Sequence, residues 1–386
     1  MAIDNPLTVY RLDDLRARRS MKWQTYEPDV LPLWVAEMDT PLAPPIRDAL
    51  VRAVEGGDTG YAYQGGLAEA WAKFSADRFG WAPDPASASL VPDVMRGIVE
   101  VLKVVTEPGD AVVVNTPAYP PFFAFLSQAG RRVVESPLAP DERRGYVLDF
   151  ARLERDFAAG ARAYLVCNPH NPTGTILTRA ELVQIATLAE RYDVRVLVDE
   201  IHSPLTYPGV RHVPFLSLAD EAPAAARGFA FVSASKAWNL PGLKTALSVA
   251  GPAAQVDHAR VPNEVRLGAG LFGVIAAEVA LRDGVPWLDA LCAGLDANRR
   301  LLTALLAEHL PGVRYREPDG TYLAWLDCRG LGLGDDPAET FLRRGRVAVN
   351  SGPTFGAPGH GFVRLNLATA PELLTEGVRR MAAAVG

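Results

Sequence analysis

The run Ser233-Ala234-Ser235-Lys236-Ala237-Trp238-Asn239-Leu240-Pro241-Gly242-Leu243-Lys244 follows an apolar, strand-like segment, Phe229–Val232. A lysine at the carboxyl end of such a strand is expected to be buried. Burial disfavours the ammonium form, and a neutral amine can form a Schiff base with a carbonyl. The serines ahead of it can hydrogen-bond a phosphate. Lys22, Lys73, Lys103, Lys236 and Lys244 are the only lysines in a chain whose positive charge is otherwise arginine. Two of them eight positions apart in one loop therefore stand out.

Two other apolar runs end in chemistry of the same kind. Val194–Val198 leads into Asp199, thirty-seven residues before Lys236, and Ala163–Val166 leads into Asn168-Pro-His-Asn171-Pro-Thr-Gly174. Apolar runs alternate with amphipathic stretches across roughly residues 90–280, the pattern of an α/β domain. In such a sheet ligands bind outside the carboxyl ends of the strands, so the amide, the carboxylate and the amine can converge. A cofactor with a pyridinium nitrogen, a phenolic oxygen, an aldehyde and a phosphate suits that set, and pyridoxal phosphate has all four.

Further motifs extend the pattern: Leu33-Trp34-Val-Ala36-Glu37-Met-Asp39, Gly60-Tyr61-Ala-Tyr63, Thr116-Pro-Ala-Tyr119-Pro-Pro, Asp199-Glu-Ile-His202 and Phe362-Val-Arg364-Leu-Asn366. In order and spacing, and nearly end to end, the chain resembles the fold-type I pyridoxal phosphate enzymes of the class I/II aminotransferase superfamily. Within them it is most similar to the MalY/PatB-type carbon–sulfur β-lyases, the cystathionine β-lyase branch. The resemblance implies a large domain around a mostly parallel sheet, residues 46–283. It also implies a smaller α/β domain from residues 1–45 and 284–386, and a homodimer with the active site at the subunit interface.

Carried onto this sequence, the resemblance makes Lys236 the catalytic lysine that holds the cofactor and later removes the substrate α-proton. Asp199 would pair with the ring nitrogen, Asn171 would donate to the phenolic oxygen, and Tyr119 would stack on the ring. Ser233, Lys244 and the backbone N–H groups of Val94 and Met95 would take the phosphate, with Tyr61 reaching it from the partner subunit. Arg364 would grip the substrate α-carboxylate, where a planar fork suits the task, with Tyr119 and Asn171 bordering the same space.

Departures from the family pattern matter as well. Lys244 stands where many relatives have arginine, which leaves charge but no bidentate fork. Asp93 stands where glycine is common. It is suited to cap the following helix, and is expected to point away from the phosphate. Glu37 replaces a frequent aspartate.

The cofactor does not decide which bond breaks; the protein does. His202 occupies a position where many aminotransferases have a tyrosine, and the β-lyase branch has Asp-Glu-Ile-His. The resemblance thus implies α,β-elimination of cystathionine or another S-substituted cysteine to pyruvate, ammonia and a thiol. Transamination is the alternative. The intact Lys236, Asp199, Asn171 and Arg364 speak against a catalytically idle relative.

Composition fits this reading. The chain has 386 residues, 49% hydrophobic and 22% charged, with a net charge of −6 that leaves no basic footprint for nucleic acid or an anionic membrane. Cys167, Cys292 and Cys328 lack metal-ligand spacing and suggest a reducing compartment rather than disulfides or a metal site. Met1–Pro6 does not read as a signal peptide, no apolar stretch reads as a membrane span, and a cytoplasmic protein is expected. Helices are expected over Val94–Thr106, from a capping box at Thr178-Arg-Ala-Glu181 to about Tyr192, over Trp287–Leu310, and from near Pro371. Late strands are expected at Tyr322–Leu326, Val347–Val349 and Phe362–Leu367. Ala222–Ala226 reads as a surface loop and Gly330-Leu-Gly-Leu-Gly334 as a turn rather than a nucleotide loop.

Overall fold

The computed structural model describes residues 4–386. Seven strands form its main sheet: β1 (Ala88–Val91), β2 (Ala111–Thr116), β3 (Arg132–Pro137), β4 (Ala163–Cys167), β5 (Arg195–Asp199), β6 (Phe229–Val232) and β7 (Ala246–Ala250). Their spatial order is β1-β7-β6-β5-β4-β2-β3. The run from β6 to β3 is parallel throughout, and only β7 is antiparallel to its neighbours.

The apolar runs are continuous because both faces are covered, so alternate side chains enter different cores. Val113, Tyr164, Val166, Val196, Val198 and Val232 join one core with Leu182, Ile185 and Ala189 of the helix Arg179–Arg191. Val112, Val114, Leu165, Leu197, Phe229 and Phe231 join the other. There they meet Ile98 and Leu102 of the helix Val94–Val105, and Phe122 and Leu126 of the helix Pro120–Gln128. The Thr178 capping box forms both reciprocal bonds: Glu181 N donates to Thr178 Oγ1 at 3.3 Å, and Thr178 N donates to Glu181 Oε2 at 2.8 Å.

A second, antiparallel sheet has the order Arg314–Tyr315, Leu323–Asp327, Phe362–Asn366, Asn350–Ser351. The early segment Leu31–Pro32 pairs in parallel with Val347–Ala348. The long helix runs Val285–His309, directly after the helix Leu271–Asp283, and the last helix is Pro371–Val385 with proline in its first turn.

One segment departs from the expectation. Residues Pro223–Ala226 form a single helical turn rather than a surface loop, and Ala224 and Ala225 are buried. Small side chains let that turn pack closely against the helix Arg179–Arg191 and β5. The Gly330–Gly334 stretch is a turn, with Gly332 and Gly334 at positive φ of 66° and 77°. Among the described residues, no helix is long and apolar enough to cross a membrane.

Candidate active site

Four adjacent parallel strands, β2, β4, β5 and β6, bring Tyr119, Asn171, Asp199 and Lys236 to one edge of the sheet. β1 runs into the helix beginning at Val94 on that edge, and Lys244 and Thr245 precede β7 there. Together with Met95, Cys167, Ile201, His202 and Ser235, these residues line a cavity of about 250 Å³. The topology thus assembles residues that lie far apart in sequence.

Burial sets the electrostatics. Lys236 is pulled down to about 8, chiefly by desolvation and also by the Arg364 charge, while Asp199 acts in the opposite direction. Asp199, 5% exposed, is pushed up to about 7 by burial, against the Ile201 N–H, which donates to Oδ1 at 3.1 Å, and against the Lys236 charge. A cation placed beside Asp199 would return it to the carboxylate. Burial, with Lys236 and Arg364 nearby, holds His202 well below the usual imidazole range and therefore neutral. Its Nδ1 is buried without a partner among the described residues, and its ring meets Tyr322 edge-on, with centroids 6.0 Å apart.

Arg364 is 4% exposed and arrives from the second sheet, opposite Trp325 on one side and Asn350 on the other. It donates to Asn171 Oδ1 at 3.0 Å, Asn350 Oδ1 at 2.6 Å and the Trp34 carbonyl at 3.2 Å, leaving Nε buried and without a partner among the described residues. Arg364 and Asn171 therefore meet although 193 residues separate them.

A strap, residues 33–39, closes the space between the two sheets. Ala36 O accepts from Lys236 Nζ at 2.9 Å and from Tyr322 OH at 3.0 Å. Asn366 Nδ2 donates to Val35 O and Glu37 O, both at 2.7 Å, and the Asn239 amide bonds Met38 N and O at 2.8 Å each. Behind the strap, Lys22 Nζ donates to Asp39 Oδ2 at 2.7 Å, and Trp23 Nε1 donates to Asp39 Oδ1 at 2.9 Å.

The end of the cavity expected to take the phosphate differs from expectation in two places. Asp93 caps its helix, with Oδ1 accepting from Arg96 N at 2.8 Å, but it does not point away. Its Oδ2 lies 3.2 Å from Lys244 Nζ and the residue lines the cavity, because the cap fixes one oxygen and leaves the other to find the nearest cation. The Ser233 hydroxyl donates to Thr245 O at 2.6 Å and accepts from Ser235 N at 3.1 Å, so it braces the loop while Ser235 faces the cavity. The first-turn N–H groups of Val94 and Met95 have no acceptor among the described residues. Tyr61 is 87% exposed and does not line the cavity.

Sequence reasoning missed the Ala36 carbonyl, Tyr322 and Cys167 as neighbours of the chemistry. A backbone carbonyl has no sequence signature. The motif containing Ala36 carried a signal only as a fixed run, and Tyr322 read as the start of a strand.

The donors fit pyridoxal phosphate. Asp199 can meet a ring nitrogen, Asn171 a phenolic oxygen, Lys236 an aldehyde, and the free N–H groups of a helix start a phosphate. Fold and donor set together define a pyridoxal phosphate-dependent enzyme of fold type I. The family model "Aminotransferase class I and II" matches residues 28–381, and the chain belongs to that family. It is 38% identical to the cystathionine beta-lyase of Corynebacterium glutamicum over 376 residues, covering 96% of this chain and 98% of that one. It is 33% identical to the cystathionine beta-lyase PatB of Bacillus subtilis over 384 residues, covering 95% and 97%. The crystal structure of cystalysin from Treponema denticola, which contains a pyridoxal 5′-phosphate cofactor, superposes with a TM-score of 0.90 at 26% identity, covering 99% of each chain.

Proposed function

We propose that the chain is a carbon–sulfur β-lyase that cleaves cystathionine or another S-substituted cysteine. The reaction breaks the Cβ–S bond, removes the Cα proton and takes up water, giving pyruvate, ammonia and the free thiol. The choice of reaction is carried by similarity over nearly the whole chain to proteins named cystathionine beta-lyase, since the donor set alone would serve transamination equally well.

Bound pyridoxal phosphate supplies an aldehyde that joins amino groups and a ring that draws electrons away from Cα. The protein's residues do the rest. Arg364, held by Asn171 and Asn350, offers its fork to the substrate α-carboxylate and so sets which Cα bond faces Lys236. Lys236, with its pKa lowered to about 8, takes the α-proton as a neutral amine, and Ala36 O holds that amine in place. Asp199 keeps a proton on the ring nitrogen. His202, kept neutral by its burial, adds no fixed charge to the cavity wall.

We further place the enzyme in the cytoplasm as a homodimer, with residues 46–283 as the large domain and the two terminal segments as the small one. Tyr61 and Tyr63, 87% and 81% exposed, support a partner surface. The test is purified protein supplied with pyridoxal phosphate and L-cystathionine, without a keto acid. Pyruvate and thiol over many turnovers, lost in Lys236→Ala, establish the lyase. No pyruvate, with a visible-spectrum change that a keto acid reverses, makes it an aminotransferase instead.

A further inference from the structure

We propose that Asp93 is a built-in competitor for the cofactor's phosphate: it holds Lys244, so the phosphate must share or displace that cation. The inference rests on the pyridoxal phosphate reading of the cavity. Asp93 is fixed by its cap to Arg96 N at 2.8 Å, and its second oxygen lies 3.2 Å from Lys244 Nζ. Both side chains line the cavity, next to the free N–H groups of Val94 and Met95. Among the described residues, Lys236 and Lys244 are the only cationic side chains in that lining, and Lys236 serves the aldehyde. Arg96, the nearest arginine in sequence, is turned to Glu100 at 2.9 Å. The phosphate end thus has one free-standing cation, already shared with a fixed carboxylate. The helix start must carry much of the remaining hold.

Lys244 is 59% exposed in its side chain, so the competition is of modest size and set by charge rather than by packing. An asparagine at position 93 keeps an oxygen for the Arg96 N–H and removes the charge, so the helix cap survives. The functional consequence is a cofactor held more loosely than the same cavity allows.

The experiment is an equilibrium titration of cofactor-free protein, read by visible absorbance. The ligands are pyridoxal phosphate and, separately, pyridoxal, which lacks the phosphate. Asp93→Asn is expected to tighten pyridoxal phosphate about two- to fivefold and to leave pyridoxal unchanged. Lys244→Met is expected to weaken pyridoxal phosphate by a larger factor in the Asp93→Asn background than in the wild type, since the lysine is then undivided. Unchanged or weaker binding in Asp93→Asn, or an equal Lys244→Met factor in both backgrounds, overturns the proposal while the wild type still binds the cofactor. A wild type that binds neither ligand overturns the cofactor reading itself.

Discussion

The Lys22–Asp39 pair anchors the strap, and its removal has a calculable cost. Lys22 is 0% and Asp39 1% exposed, with 2.7 Å between Nζ and Oδ2. Lys22→Met strands a buried carboxylate with only the Trp23 indole, and Asp39→Leu strands a buried ammonium with only the Glu37 carbonyl at 3.3 Å. Breaking such a pair from one side costs about 3–5 kcal/mol, so two independent losses would sum to about 6–10 kcal/mol. The double variant Lys22→Met/Asp39→Leu removes both charges. What remains is the indole N–H of Trp23, a half-buried residue, left without its acceptor at a loss of about 1–2 kcal/mol. The double variant should therefore be more stable than either single one. Urea unfolding of cofactor-loaded protein, at fixed protein and cofactor concentration, measures all four forms. A double variant as unstable as the sum of the singles would refute the account of the pair as a compensated buried charge.

In cofactor-free protein, imine formation between Lys236 and pyridoxal phosphate requires the neutral amine. With the pKa lowered to about 8, the rate should climb with pH up to about 8 and level above it, whereas an ordinary lysine would keep climbing towards 10.5; stopped-flow absorbance decides. Asn350→Ala removes the 2.6 Å acceptor from Arg364 and is expected to raise the KM for amino-acid substrate roughly tenfold with a smaller change in kcat, as steady-state kinetics will show. Gly174→Ala would place Cβ 2.2 Å from Pro318 Cβ at a φ of +68°. The loop carrying Asn171 should shift, with a lowered melting temperature and weaker cofactor absorbance as the readouts.

Much of the large sheet was legible because its strands are buried on both faces and read as unbroken apolar runs ending in Asn168, Asp199 and the Lys236 loop. That those ends converge followed from the α/β alternation, but which strands are neighbours was not legible, because strand order depends on which crossovers pack, not on any one segment. Side chains that define an anion site could be named, but not which way they turn. The sequence marks Asp93 as a helix cap but carries no sign that its other oxygen goes to Lys244, nor that the Ser233 hydroxyl goes to Thr245. Ala222–Ala226 was misjudged because an alanine and proline stretch has no amphipathic pattern, and only its close packing makes it interior.

The strap's hydrogen bonds to Lys236, Arg364, Tyr322, Asn366 and Asn239 all use its main-chain atoms. Exchanging a side chain at Val35, Ala36 or Met38 leaves every one of those acceptors in the chain. A one-residue insertion or deletion would put the wrong carbonyl before each partner at once. The segment is thus constrained in length and backbone path far more than in spelling.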